Sequence, residues 1–129
     1  MSIKILVVDD EKDVELLFRQ RFRKAIREGL VELEFAFSGE DALGFLRNPD
    51  RANYALILSD INMPGMSGFE LLQKVKIDFP ELKVMMISAY GDNEHQTKAK
   101  SLGADDFITK PVDFNELGIR LNLYPGGNE

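Results

Sequence analysis

Cysteine and tryptophan are both absent from this chain, and histidine occurs once, at His95. Without cysteine, neither a disulfide framework nor a thiolate metal site can form, which fits a reducing compartment such as the cytoplasm. Long apolar runs are missing as well. The N-terminal stretch Ile3–Val8 has six residues and is broken by Lys4. That is too short for a signal-peptide core or a membrane span, so a cytoplasmic protein with no membrane association is expected. Positive charge is in deficit: 16 Lys and Arg stand against 22 Asp and Glu, a formal net charge of −6. Direct nucleic-acid binding is a poor match for such a chain, because a phosphate backbone repels it.

What is present is one domain's worth of sequence, 129 residues of which 44% are hydrophobic, too apolar for the disordered class. Short β-branched runs alternate with segments of helical period. Strands are expected at Ile3–Val8, Val31–Phe37, Tyr54–Ser59, Lys83–Ser88 and Asp106–Thr109. The first and third are nearly continuous apolar, as in a sheet covered on both faces, whereas the second alternates in part.

Helical segments lie between the strands. The first carries Val14, Leu17, Phe18, Phe22, Ala25 and Ile26 on one face and stops at Gly29. Ser38 caps the second, which ends before Asn48-Pro49, and Ser67 with Glu70 forms a capping box for the third. Asp92 caps the fourth, which runs to Leu102-Gly103. Asp113 with Glu116 opens the fifth, a short helix interrupted by Gly118 that ends by Tyr124-Pro125. This (βα)5 alternation predicts a three-layer, doubly wound α/β fold with a five-stranded parallel sheet. The domain is expected to span residues 1–124, with 125–129 a tail or the start of a linker.

In an open α/β sheet the ligand crevice lies beyond the carboxyl ends of the strands. Asp9, Asp10 and Glu11 follow the first strand, Asp60 the third, Ser88 closes the fourth, and Lys110-Pro111 follows the fifth. Each has a simple structural explanation: Asp10 as a helix N-cap, Asp60 as the start of an Asx turn, Ser88 as an ordinary strand end, Lys110 as a solvated lysine. Unrelated caps, however, would not bring three carboxylates, a hydroxyl and an ammonium to one sheet edge. Carboxylates that close repel one another and raise at least one pKa, a conflict that a hard divalent cation removes. An oxygen-only ligand set suits Mg²⁺, which keeps several waters and shares itself with a phosphoryl group. A lysine opposite it supplies a point charge for a phosphate oxygen.

As a set, these motifs closely resemble the receiver domain of two-component response regulators. The blocks that carry the resemblance are Asp9-Asp10, the run from Asp60 through Asn62 to Gly68, Ser88-Ala89-Tyr90, and Phe107 to Pro111. It covers the chain from Ile3 to about Leu123 and implies a flavodoxin-like strand order 2-1-3-4-5. By the resemblance, Asp60 is the phosphoacceptor, Asp10 a direct Mg²⁺ ligand with Asp9 acting through water, and Asn62 a ligand through its backbone carbonyl. Ser88 and Phe107 are the switch residues, Lys110 pairs with the phosphoryl group, and Lys110-Pro111 is a cis peptide. Tyr90, at the rim, either modulates the approach of hydrolytic water or packs on the fourth helix. His95 reads as a surface residue.

The implied activity is Mg²⁺-dependent transfer to Asp60 from the phosphohistidine of a sensor histidine kinase or a phosphotransfer protein. The chain would catalyse only its own phosphorylation and dephosphorylation, and so would not be an enzyme in the usual sense. The face of the fourth helix, fifth strand and fifth helix would then switch toward an output domain, a partner protein or a second copy in a phosphorylation-dependent homodimer. A flavin carrier of the same fold class wants a neutral phosphate loop and a stacking tryptophan. An aspartyl phosphatase of the haloacid dehalogenase type wants Asp-x-Asp and a cap insertion. A phosphorylation-silent pseudo-receiver, serving as a protein-binding module, should lack one of Asp10, Asp60 or Lys110, and all three are present.

Overall fold

Five strands form one parallel sheet in the order β2-β1-β3-β4-β5. The computed structural model describes residues 2–51 and 53–123. Its strands are β1 (Ile3–Val8), β2 (Val31–Ala36), β3 (Leu56–Asp60), β4 (Lys83–Ser88) and β5 (Asp106–Thr109). Its α-helices are α1 (Asp13–Arg21), α2 (Arg23–Arg27), α3 (Gly39–Arg47), α4 (Gly68–Asp78), α5 (Asn93–Ser101) and α6 (Phe114–Arg120), with a 3-10 turn at Pro49–Arg51. The expected tail at 125–129 and the domain boundary at 124 lie outside the described residues.

The period-two alternation of the strands divides the core into two layers. Leu6, Val8, Ile57 and Met86 face α3, α4 and α5, where Leu46, Leu72, Val75 and Ala99 are buried. Ile5, Val7, Leu58 and Ile87 face α1, α2 and α6 and meet Phe18, Phe22, Phe114 and Leu117. Removing each large apolar side chain from water contributes about 1.5–3 kcal/mol. In the second layer the rings of Phe18 and Phe114 meet edge to face, 5.1 Å apart at 80°, a preferred arrangement of aromatic quadrupoles.

The capping residues act as expected. Ser38 accepts the N–H of Asp41, Ser67 and Glu70 form both bonds of a capping box, Asp92 accepts the N–H of His95, and Asp113 that of Glu116. Two expectations are corrected. The first helical segment is not one helix, so there are six α-helices where five were expected. Phe22 relaxes to φ −106°, ψ 20°, although the Phe22 N–H still donates to Phe18 O and Ile26 N–H to Phe22 O. Burial of the Phe22 ring against Phe114 accompanies this irregular turn. Leu17, placed by period on the core face, is 42% exposed. Gly29, at φ +75°, ends α2 where L side chains are strained.

Parallel pairing points every strand the same way, so all carboxyl ends lie along one edge of the sheet. The β3–β4 register pairs Asp60 with Ile87, and the β4–β5 register pairs Ser88 with Thr109. These registers, with β1 beside β3, gather the segments that follow β1, β3, β4 and β5.

Candidate functional site

The edge is built from backbone outward. Asp9 continues the β1–β2 ladder, its N–H donating to Ala36 O at 3.1 Å, and Ile61 continues β3–β4 by donating to Ile87 O at 3.1 Å. Asp9 and Asp60 are thereby fixed by sheet hydrogen bonds and not by loop geometry. Both are 7% exposed. Asp9 Oδ1 accepts the N–H of Glu11 at 2.9 Å, and Asp60 Oδ1 accepts the N–H of Ile61 at 3.0 Å.

The simple explanations for Asp10 and Asp60 fail. Lys12, not Asp10, occupies the N-cap position of α1, and no side chain caps that helix. An Asx turn would engage the amide two residues on, whereas the Asp60 carboxylate is bonded to the next one. Carboxylate oxygens of Asp9, Asp10 and Asp60 instead lie within 4.8 Å of one another. Among the described residues this is the group of three or more His, Cys, Asp or Glu side chains that could hold a metal ion.

Lys110 completes the cluster. Its N–H donates to Ser88 O at 2.8 Å, and the Lys110-Pro111 peptide is cis, as the resemblance implies. The ammonium reaches back over the end of β4 to stand 3.5 Å from Asp60 Oδ1 and 3.6 Å from Asp9 Oδ2. Burial pushes the Asp60 carboxyl above its ordinary range and the Asp9 charge pushes it further, while Lys110 opposes both. Burial would lower the Lys110 pKa, but attraction from Asp60, Asp9 and Glu11 outweighs it, and the net direction is upward. One ammonium therefore does not neutralise the acids. The excess negative charge, held by oxygen donors alone, fits Mg²⁺.

Ser88 is fully buried at the end of β4, and its Oγ accepts the Tyr90 N–H at 2.9 Å. Phe107 is half-buried on β5 and packs against the layer that contains Ala99. Tyr90 is 55% exposed, and its ring stacks on that of His95 at 5.4 Å and 23°. The packing explanation of Tyr90 thus describes what its ring touches. His95 is half-buried between Tyr90 and Phe69, and so is less of a surface residue than its sequence context implies. Asn62 is exposed.

Sequence reasoning missed the part played by Gly68. A Cβ there would meet the Asp60 backbone oxygen at 2.2 Å and Ile61 Cα at 2.7 Å. Its N–H donates to Ile61 O at 2.7 Å, so α4 begins directly against the strand end that carries Asp60. The only signal was a glycine just after a serine cap, which is also common without any such contact.

The sequence model of the response regulator receiver domain family matches residues 5–122. The chain belongs to this family. Among curated relatives, the receiver domain is 34% identical over 126 residues to sporulation initiation phosphotransferase F of Bacillus subtilis, covering 96% of this chain and 94% of that protein. It is 33% identical to response regulator RppA of Synechocystis, covering 92% of this chain but only 49% of the relative. The chain therefore spans nearly all of one relative and about half the length of another. Among solved structures, chemotaxis protein CheY4 of Vibrio cholerae superposes with a TM-score of 0.80 at 27% identity, over 95% of this chain and 98% of that one. Response regulator protein TrrA of Thermotoga maritima, solved in complex with Mg(2+)-BeF, gives 0.75 at 30% identity, over 95% and 99%. The fold class, strand order and family expected from the sequence stand. No helix among the described residues is long and apolar enough to cross a membrane.

Proposed function

We propose that this receiver domain accepts a phosphoryl group on Asp60 and uses it to switch the surface formed by α5, β5 and α6. The observation that carries the reading is the convergence of Asp9, Asp10 and Asp60 within 4.8 Å, with Lys110 Nζ 3.5 Å from Asp60. An Asp60 carboxylate oxygen attacks the phosphorus of a phosphohistidine. The N–P bond breaks, and its electron pair returns to the donor imidazole. Lys110 lies where it can pair with a phosphoryl oxygen, and the Ser88 hydroxyl can donate to another.

Asp9, Asp10, Asp60 and the backbone carbonyl of Asn62 are the groups that would hold Mg²⁺. Bound there, the metal supplies neutralising charge for the transferred group. Asp10 would be the direct ligand, and Asp9, whose carboxylate is already engaged by Glu11 N–H and Lys110, would act through water. The chain is a self-phosphorylating and self-dephosphorylating switch in the cytoplasm, not an enzyme with a separate substrate.

The donor is the phosphohistidine of a sensor kinase or a phosphotransfer protein. Beside the acids, an apolar groove lined by Val14, Leu17, Phe18, Pro111 and Phe114 offers it a contact surface. That use accounts for the exposure of Leu17. On the opposite side, Phe107 of β5 packs against the layer that contains Ala99 of α5, on the face that would meet an output domain, a separate partner or a second phosphorylated copy. The pseudo-receiver alternative has no feature in its favour, since no acid or lysine of the set is lost or turned away.

The test is intact-mass and peptide mass spectrometry after treatment with a small acyl phosphate, with and without Mg²⁺. A phosphoryl adduct on Asp60 that requires the metal is expected. Label that persists in Asp60→Asn, or forms equally in chelator, would defeat the assignment.

A further inference from the structure

Only Ala89, Tyr90 and Gly91 separate the end of β4 from Asp92, the N-cap of α5. The first turn of α5 grips this loop at two points. The His95 ring stacks on the Tyr90 ring at 5.4 Å, and Gln96 Nε2 donates to Gly91 O at 2.9 Å. His95 is itself fixed from two sides. Its Nδ1 lies 2.7 Å from the Asp92 carboxylate that also accepts its N–H, and the Phe69 ring of α4 stacks behind it at 6.3 Å. On the β5 side the loop lies flat, since a Cβ at Gly91 would meet Thr109 Oγ1 at 2.4 Å.

The loop is also tied to the end of β4 by a hydrogen bond. Ser88 Oγ accepts the Tyr90 N–H at 2.9 Å. For the Ser88 hydroxyl to move toward a phosphoryl group on Asp60, that bond must be stretched or the loop must follow. A following loop carries the Tyr90 ring away from His95. The stack and the activated position of Ser88 therefore compete.

We propose that His95 is a positioning residue that holds the receiver domain in its unphosphorylated arrangement, clamping the 89–91 loop through the Tyr90 ring and so restraining Ser88. This inference rests on the reading of Asp60 as phosphoacceptor. The clamp biases an equilibrium and touches no reacting atom, so its removal favours the activated state. An exposed stacked pair of this kind corresponds to a population shift of about 2- to 10-fold.

Two measurements on His95→Ala decide it. In the metal-free, unphosphorylated protein, hydrogen exchange at the Tyr90 amide should quicken several-fold relative to wild type, beyond any change that lower global stability produces at the core amides of β1 and β3. In titrations with Mg²⁺ and beryllofluoride, apparent affinity should rise about 2- to 10-fold. His95→Phe, which keeps a ring beneath Tyr90 but loses the Asp92 bond, should restore most of the wild-type behaviour in both. Unchanged Tyr90 exchange in His95→Ala overturns the clamp, as does a beryllofluoride affinity that is equal or weaker. A wild-type protein that takes no beryllofluoride would instead refute the reading of Asp60, and amide exchange would then decide the clamp alone.

Discussion

Lys110 Nζ lies 3.5 Å from Asp60 Oδ1 although β5 and β3 are not neighbours in the sheet. The side chain crosses the end of β4 to make this approach, and the Lys110 N–H anchors its start on Ser88 O. A lysine aimed into a cluster of acids lowers their attraction for a cation while preparing the site for an anion. The two ligands should therefore respond in opposite directions when it is removed.

In Lys110→Met, Mg²⁺ affinity should rise about 2- to 10-fold, because a positive charge near the metal ligands is gone. Affinity for beryllofluoride in the presence of Mg²⁺ should fall at least ~10-fold, equivalent to about 1.4 kcal/mol. Calorimetric titrations of both ligands on both proteins check this. A parallel loss of both affinities would mean that Lys110 orders the site instead of recognising the phosphoryl group.

Asp60→Asn should stabilise the metal-free protein at neutral pH. The folded state raises the Asp60 pKa above its ordinary 3.8, through burial first and then Asp9. The fold therefore prefers the protonated carboxyl. Stability from this group is complete below 3.8 and is lost as pH rises through the elevated folded value. Asparagine carries no charge to be buried and so escapes that loss. Melting temperature in chelator at neutral pH should therefore be higher for Asp60→Asn than for wild type. The advantage should vanish below pH 3.8 and shrink in saturating Mg²⁺. Equal melting curves at pH 7 in chelator would contradict the proposed penalty.

Gly68 and Gly44 make a matched pair in the first and middle turns of two helices. A Cβ at Gly44 meets nothing within 4 Å, whereas one at Gly68 meets backbone atoms of Asp60 and Ile61 below 3.0 Å. Gly44→Ala should stabilise by about 0.5–1 kcal/mol through helix propensity. Gly68→Ala should destabilise by about 1–3 kcal/mol, as overpacking does. It should also weaken Mg²⁺ binding, because the displaced backbone carries Asp60. Chemical denaturation and metal titration together distinguish it from a plain packing defect, which would leave the metal affinity of the folded protein intact.

Much of this was legible because local chemistry and global fold agree. The caps at Ser38, Ser67, Asp92 and Asp113 announce helices that form where expected, and apolar runs at Ile3–Val8 and Lys83–Ser88 mark strands to the residue. Asp9, Asp10, Asp60, Ser88 and Lys110 could be read together because parallel topology forces strand ends to one edge. Relationships that depend on tertiary distance were not legible. The break at Phe22 coincides with a ring that packs against Phe114, far along the chain. The steric role of Gly68 requires knowing how closely α4 starts against β3. His95 looked like an isolated surface residue because neither the Tyr90 ring nor the Phe69 ring lies beside it in sequence at a recognisable spacing.

Tyr90 is the remaining position where two uses of one side chain can be separated. Its ring is 55% exposed yet stacked on His95, and its backbone N–H holds Ser88 Oγ. If the ring also stood in the way of water approaching a phosphoryl group on Asp60, it would offer that water little to bind. Glutamate at the same place could orient water and would lose the stack. Tyr90→Glu should therefore shorten the lifetime of the phosphorylated state several-fold, since 1.4 kcal/mol off a barrier is about tenfold in rate. Tyr90→Phe keeps both the bulk and the stacking surface and should decay at the wild-type rate. Folding stability should scarcely change in Tyr90→Phe, and in Tyr90→Glu it should fall by no more than the lost stack, about 0.5–1.5 kcal/mol, because the side chain is more than half exposed. Decay of the phosphorylated form, timed after removal of the donor, gives all three rates. If Tyr90→Glu decays as slowly as wild type, the ring does not gate water, and its stacking on His95 is the whole of its role.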